Sequence, residues 1–210
     1  MGTLQTLPVR IVRAATIAWV LAALALCAAA LADPYGAVAG NPADRLAHLP
    51  IEDYRSDEAT SCRRKAMPGA LALELWLVRN VRGTSWGIMR CSKLGRRRFS
   101  LHAEGRAVDW HLDAGSRVDR RAARRLIMLL LASDRAGNPH ALARRMGVQE
   151  IIWDCRSWWS GADRLGEYEP CLDARGRRRK RVNVTLAHRD HLHIGLNLDG
   201  ARKRTSFWQR

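Results

Sequence analysis

Four cysteines, Cys62, Cys91, Cys155 and Cys171, remain in this chain once its first thirty or so residues are set aside, and they constrain the fold more than any other feature. The fifth, Cys27, lies in an uncharged apolar run from Ala14 to Ala32 that follows Arg10 and Arg13 and ends in Ala30-Leu31-Ala32. A basic start, an apolar middle and a small-x-small ending make a secretory leader, so residues 1–32 are read as a signal peptide. The competing reading is an uncleaved anchor, because the run approaches the ~20 residues needed to span a bilayer. Leu26 stands where a lipidation signal needs a small residue, which argues against a lipid on Cys27. Export leads to an oxidising compartment, where an even set of cysteines predicts two disulfides. Neighbours in sequence suggest Cys62 with Cys91 and Cys155 with Cys171, although four cysteines allow three connectivities. A zinc site made of all four is disfavoured by the absence of any C-x2-C pair.

A chain of 210 residues less its leader has room for one ordinary domain with its own core. Residues 33–60, rich in Asp, Pro, Gly and Ala without periodicity, are expected to form a flexible N-terminal arm, and residues 61–210 the domain. Pro68 opens a helical pattern carrying Leu71, Leu73, Leu75, Trp76, Leu77 and Val78 that ends before Gly83. Thr84 to Cys91 reads as a strand and Gly95 to Arg98 as a basic turn. Ala107 to Trp110 reads as a short strand, and Val118 to Ala132 as a strongly amphipathic helix. A second helix over Pro139 to Met146 stops at Gly147, and strands follow at Val148–Trp153 and His191–Asn197. Cys155 to Cys171 is expected as a loop and Arg175 to Arg181 as a basic turn. Short strands and helices without regular alternation predict an α+β domain, a small antiparallel sheet flanked by helices and stapled by disulfides.

The net charge is +16, of which Arg10 and Arg13 contribute two. Such a surface seeks anions. The exported location favours anionic wall polymers over nucleic acid, and no aromatic-basic recognition motif of the RNP kind is present. Membrane contact is expected only through the leader, were it uncleaved. The sequence sets no oligomeric state.

Any one histidine has bland explanations, but His188, His191 and His193 crowd into six residues beside Asp190. On a strand, His191 and His193 project to one face, where two imidazoles can approach one ion or one polarised water, while Leu192 and Ile194 point to the core. The second cluster runs from Ser100 through His102 and Gly105 to Asp109. An uninterrupted strand would put His102 and Asp109 on opposite faces, and Gly105 can relieve this by allowing a turn or bulge. One carboxylate and two imidazoles, with a position left for water, form a catalytic zinc set rather than a closed structural one.

The pattern Ser100-x-His102-x-x-Gly105-x-Ala107-x-Asp109, followed by Asp190-His191-x-His193, resembles the D-alanyl-D-alanine peptidase branch of the lysostaphin-type and hedgehog-like zinc superfamily. The stretches from Trp86 to Asp109 and from Val148 to Leu196 look like bacterial extensin-like C-terminal domains and related secreted proteins. The resemblance covers Cys62 to Trp208. It implies that His102, Asp109 and His193 are Zn2+ ligands, that Asp190 stands where the general base does, and that His191 polarises the carbonyl or steadies the tetrahedral intermediate; Asp190 or His191 would accept the proton of the water and pass it to the leaving amine. His188 matches a further active-site histidine of the penicillin-insensitive murein endopeptidases. The chain departs from the D-Ala-D-Ala dipeptidases, which place a Glu before a Trp-His pair, in having Asp190 and His191-Leu192-His193.

Other residues are weighed against simpler roles. Ser100 reads as a turn residue rather than a nucleophile. Arg106 is a candidate for pairing with a substrate carboxylate, and Trp158 and Trp159 for lining a groove, while Trp153 reads as core. Asn183-Val184-Thr185 fits a short glycosylation pattern that occurs often by chance. His48, His111 and His140 carry no supporting pattern. The function expected is a secreted zinc peptidase, periplasmic or wall-associated, cutting D,D- or L,D-amide bonds of peptidoglycan as carboxypeptidase or endopeptidase. A zinc-containing domain that binds wall or polysaccharide without cutting is the alternative, and a basic exported nucleic-acid binder is the weaker third.

Overall fold

The computed structural model describes residues 40–95 and 98–209. The leader, Cys27, the first residues of the expected arm and the middle of the basic turn at 95–98 lie outside the described residues. Among those described, no helix is long and apolar enough to cross a membrane.

Six strands form one sheet in which every neighbouring pair is antiparallel: β1 (Thr84–Gly87), β2 (Ala107–His111), β3 (Val148–Trp153), β4 (Arg156–Trp159), β5 (Gly166–Glu167) and β6 (His191–Leu196). Their order is β1-β2-β6-β3-β4-β5, so the last strand in the chain is threaded between β2 and β3 at the centre. Both of its edges are paired and all six of its residues are buried, which accounts for the unbroken run His-Leu-His-Ile-Gly-Leu.

Among the described residues four α-helices flank the sheet: α1 (Pro68–Asn80), α2 (Arg117–Leu131), α3 (Ala141–Met146) and α4 (Leu198–Ala201). Pro68 starts α1 at the position where its missing N–H costs nothing, and the helix buries Ala70, Leu73 and Leu77. Ser116 caps α2 by accepting from the amide of Asp119 at 3.3 Å, and Ala123, Leu126, Ile127, Leu130 and Leu131 form its buried stripe. These stripes pack with Val108, Trp110, Ile151, Leu192 and Ile194 in one core. Alternation along β2 and β6 therefore points Asp109, His191 and His193 to the opposite face of the sheet. The result is the α+β domain expected, stapled by Cys62–Cys91 and Cys155–Cys171.

Two expectations are corrected. The segment between the second pair of cysteines is not a plain loop: β4 and β5 extend the sheet there, because Ser157 and Trp158 are buried and Trp158 donates its indole N–H to the Ala162 carbonyl at 2.7 Å. The part of the arm from Asn41 to Thr60 is not a free flexible segment but is bound along the domain. Pro42–Leu46 forms a 3-10 turn. The Asp57 carbonyl accepts from Arg106 at 2.7 Å and from Gln149 at 3.2 Å, its carboxylate accepts from the Leu198 amide at 2.8 Å, and the Glu52 carbonyl accepts from Arg144 at 2.6 Å. Composition signals missed this because most of these ties run through backbone carbonyls, which every residue carries.

Candidate metal centre

The local chain around Ser100 explains how two residues seven apart come together. The Ser100 hydroxyl accepts from the His102 amide and begins a 3-10 turn over Leu101–Glu104. Gly105 closes the turn in the left-handed region at φ 68°, and its amide bonds back to the His102 carbonyl at 3.0 Å. A side chain there would also collide with the Lys65 carbonyl. The turn swings His102 over the start of β2, so that His102 Nε2 lies 3.0 Å from Asp109 Oδ1.

Sheet register supplies the third member. Asp109 stands directly opposite His193 across β2 and β6, and His193 Nδ1 lies 2.9 Å from Asp109 Oδ1 and 3.1 Å from His102 Nε2. All three side chains are buried. Each imidazole is oriented from behind. His102 donates its Nδ1–H to the Ile88 carbonyl at 2.8 Å, and His193 donates its Nε2–H to the Glu150 carboxylate at 2.7 Å. Backing partners of this kind fix the ring and the tautomer of metal-binding histidines. Gly195 makes the second contact feasible, since a Cβ there would lie 2.7 Å from Glu150 Cγ and 2.8 Å from its Oε1.

The inward-facing atoms are therefore two imidazole nitrogens and one carboxylate oxygen, all electron-pair donors, packed within about 3 Å of one another. Only a proton or a cation between them makes such a triangle favourable. Electrostatics agree. Burial works against the Asp109 carboxylate, but hydrogen bonds from His102 and His193 outweigh it and hold the carboxyl far below its usual range. Burial also disfavours protonated His193, yet Asp109 and Glu150 raise it to about 9, while burial lowers His102. His102, Asp109 and His193 can thus hold a metal ion. Tetrahedral ligands at about 2.0–2.1 Å sit roughly 3.3–3.4 Å apart, only a few tenths of an ångström wider than this triangle. Asp109 Oδ2 faces outward and accepts from Arg90 at 3.2 Å.

Beside this group stand His191, Asp190 and His188. His191 Nδ1 bonds Asp190 Oδ1 at 2.7 Å, and Asp190 Oδ2 accepts from the Thr185 hydroxyl at 2.6 Å. Both Asp190 oxygens are engaged behind the ring. His191 Nε2 is buried without a hydrogen-bond partner and lies 3.6 Å from Asp109 Oδ1. His188, at φ 52°, places its ring 4.6 Å from that of His191 and 5.7 Å from that of His193. Burial, together with the charges of the other two imidazoles, pushes it down to about 3, so it is neutral near pH 7. His111, without a motif in the sequence, stacks on Trp86 at 4.5 Å and bonds the Asp190 carbonyl.

A cleft of about 570 Å³ opens above this group, with His102, His188, His191 and His193 at its base and Arg90, Phe99, Trp159 and Tyr168 among its walls. Trp159 is 45% exposed there, as a groove residue should be, but two other candidates are corrected. Trp158 is wholly buried in the core on the far face of the sheet. Arg106 is wholly buried too, with its guanidinium spent on Glu104, Gln149 and the carbonyls of Leu196 and Asp57, so it braces the N-terminal segment and meets no substrate. Sequence reasoning gave no role to Glu150 or Arg90. A carboxylate inside the apolar strand Val148–Trp153 was the available signal for Glu150. Arg90 has none among so many arginines.

No curated protein and no solved structure matches the chain. Residues 62–178 match the family model described as the VldE C-terminal domain, a span that holds His102, Asp109, Glu150 and both disulfides and stops short of β6. That span is more than half of the 210 residues, and the chain belongs to the VldE C-terminal domain family.

Proposed function

We propose that the protein is an exported zinc-dependent peptidase that cuts D,D- or L,D-amide bonds in the peptides of bacterial peptidoglycan. The observation that carries this reading is the set of three converging donors at the base of a cleft, beside an imidazole nitrogen with no hydrogen-bond partner among the described residues. A closed structural site would have a fourth protein ligand, whereas three ligands leave a position for water. The likeness of the two-part motif to the D-Ala-D-Ala peptidase branch supports the same conclusion. Two disulfides suit an oxidising compartment, and export to the periplasm or wall follows from the leader.

Zinc held by His102, Asp109 and His193 would lower the pKa of a bound water from about 15.7 toward ~7 and polarise the scissile carbonyl. The rest falls to the chain's own residues. His191 Nε2 takes the proton of the attacking water and returns it to the leaving amine. Asp190, bonded to Nδ1, keeps the lone pair on Nε2 and stabilises the imidazolium that forms. This assigns the base to His191 and makes Asp190 its positioning residue. Arg90 and Arg98 place positive charge along the cleft, suited to a peptide that ends in a carboxylate.

The test is zinc content together with release of new amino groups from purified peptidoglycan. Near one zinc per chain, cleavage by the wild type, loss of both in His102→Ala and loss of cleavage alone in His191→Ala are expected. Zinc binding without cleavage of any wall substrate would pass the lead to a non-catalytic wall-binding domain.

A further inference from the structure

Helix α1 is apolar on two sides, and the core covers one of them. Ala70, Leu73 and Leu77 are buried, whereas Leu71, Leu75 and Val78 stand on the other side at 46%, 55% and 61% exposure. Spacings of four and three residues put these three in one stripe, about 10 Å long at 1.5 Å per residue. A single exposed leucine needs no explanation. A contiguous apolar stripe along a helix is a surface suited to a partner.

The surroundings of the stripe set the charge of that partner. Arg63, Arg64 and Lys65 are exposed just ahead of the helix, and Arg79 in its last turn. Gly69 lets the backbone of Gly200 and Ala201 close on α1, because a Cβ there would collide with the Gly200 carbonyl. That contact brings α4 against the helix, and the exposed Arg202, Lys203 and Arg204 follow directly from it. Glu74 and Asp199 are the only acids of segments 63–80 and 198–209. Both are engaged, Glu74 by the Ser85 hydroxyl and Asp199 by Arg55. Trp76 of α1 packs 6.4 Å from Phe207, which meets Trp208 at 4.8 Å, and all three rings are partly buried. Apolar stripe, aromatic flank and cations thus lie together.

Size and chemistry choose among partners. Three exposed apolar side chains are few beside the 20–30 residues a side, about 800 Å², of a stable protein pair, so a second copy would be held weakly. Nucleic acid offers phosphates to the cations and nothing to Leu71, Leu75 and Val78. A bilayer with anionic phospholipid answers both features, since it takes in an apolar helix face to about 5–10 Å and draws cations to its headgroups. Partly buried tryptophans suit the headgroup level. Among the described residues no helix can span a membrane, so the contact is with the surface. We propose that α1 and the C-terminal segment dock the folded domain on an anionic phospholipid bilayer, apart from any hold by the leader and independently of the peptidase reading. The metal centre then faces away from the lipid, because α1 packs on the side of the sheet that carries Val108 and Trp110, whereas Asp109 and His193 point to the other.

The experiment attaches a dye that brightens in apolar surroundings at Val78→Cys, in the full chain with Cys27→Ser, and titrates it with vesicles of phosphatidylglycerol and phosphatidylcholine. The dye reads the α1 contact itself, whatever the leader does. It should brighten on these vesicles and far less on phosphatidylcholine alone, and the same dye at Val118→Cys, an exposed valine of α2, should not brighten. Adding Leu71→Gln/Leu75→Gln should raise the lipid concentration at half-brightening about tenfold or more, through lost apolar contact. Adding Arg202→Gln/Lys203→Gln/Arg204→Gln should raise it about tenfold at low salt and flatten its salt dependence. All substituted positions of the domain are exposed, so the fold is kept, and zinc content and hydrolysis of a short peptide in solution stay unchanged. This proposal and the peptidase reading therefore fail separately. Absence of brightening at position 78, equal brightening on phosphatidylcholine alone, or no change in either added variant overturns it. So does brightening without vesicles that grows with protein concentration, which would assign the stripe to a second copy.

Discussion

Asp109 and His193 are 84 residues apart in the chain, yet they face each other in register across β2 and β6 with Asp109 Oδ1 2.9 Å from His193 Nδ1. The pairing depends on a third residue. Glu150, on the other neighbour of β6, holds His193 by its Nε2 and so turns Nδ1 toward Asp109.

Glu150→Gln tests that dependence. A neutral amide still reaches His193 but no longer raises the basicity of its ring, so metal affinity should fall by about 10- to 100-fold with the fold intact. Competition against a chromogenic zinc chelator measures the loss, and unchanged affinity would show that Glu150 serves folding alone.

His191 and Asp190 should separate in kinetics. On the peptidase reading proposed above, His191→Ala is expected to lower kcat about 10²- to 10⁴-fold while zinc stays bound, because the group assigned to move the proton is gone. Asp190→Asn should lower kcat less and leave KM nearly unchanged, since the imidazole remains but its tautomer and protonated form lose their support. An Asp190 variant as inactive as the His191 variant would return the base to Asp190.

Acid stability should report on Asp134. Burial raises this carboxyl, but hydrogen bonds from the side chain and amide of Asn138, from Arg145 and from the Ala136 amide outweigh it and leave it below its ordinary value of 3.8. A carboxyl lowered on folding binds protons more readily when unfolded. Its contribution is therefore present above about pH 4 and is lost as pH falls through the folded value. Asp134→Asn should flatten the acid limb of Tm against pH. At pH 7 it should cost about 1.5–3 kcal/mol, because the fully buried Arg145 loses the carboxylate 3.3 Å away while Glu52 at 3.9 Å and the carbonyls of Leu49 and Pro50 still face it.

The second disulfide should matter to both stability and the cleft. Cys155–Cys171 closes a loop with a sequence separation of 16 residues, for which chain entropy predicts about 3 kcal/mol. Tyr168 lies inside that loop and packs edge-on to His188 at 5.2 Å. Cys155→Ser/Cys171→Ser should lower Tm and raise KM for a wall peptide, with zinc content unchanged.

Much of this protein was legible before folding. The amphipathic pattern of α2, Pro68 at the start of α1, the alternation in β6 and the turn at Gly105 are local signals, read from periods of 3.6 and 2 and from the φ that glycine permits. The group of His102, Asp109 and His193, which can hold a metal ion, was named through the resemblance of its two-part motif, residue type and spacing alone having left His191 and His193 side by side as candidates. The pairing of Cys62 with Cys91 and of Cys155 with Cys171 was suggested by proximity alone.

What the tertiary structure decided lies in contacts made across long separations. Sequence could not distinguish Trp158 from Trp159, since the pleat alone sends one into the core and the other into the cleft. Arg106 was indistinguishable from the surface arginines until the fold closed around it, and the sequence did not show that both Asp190 oxygens bond Thr185 and His191. Residue type and spacing determine which groups can bind a metal or move a proton. Only the threading of β6 between β2 and β3, which places atoms from distant segments within about 3 Å, decides which nitrogen faces the cleft and which is held from behind.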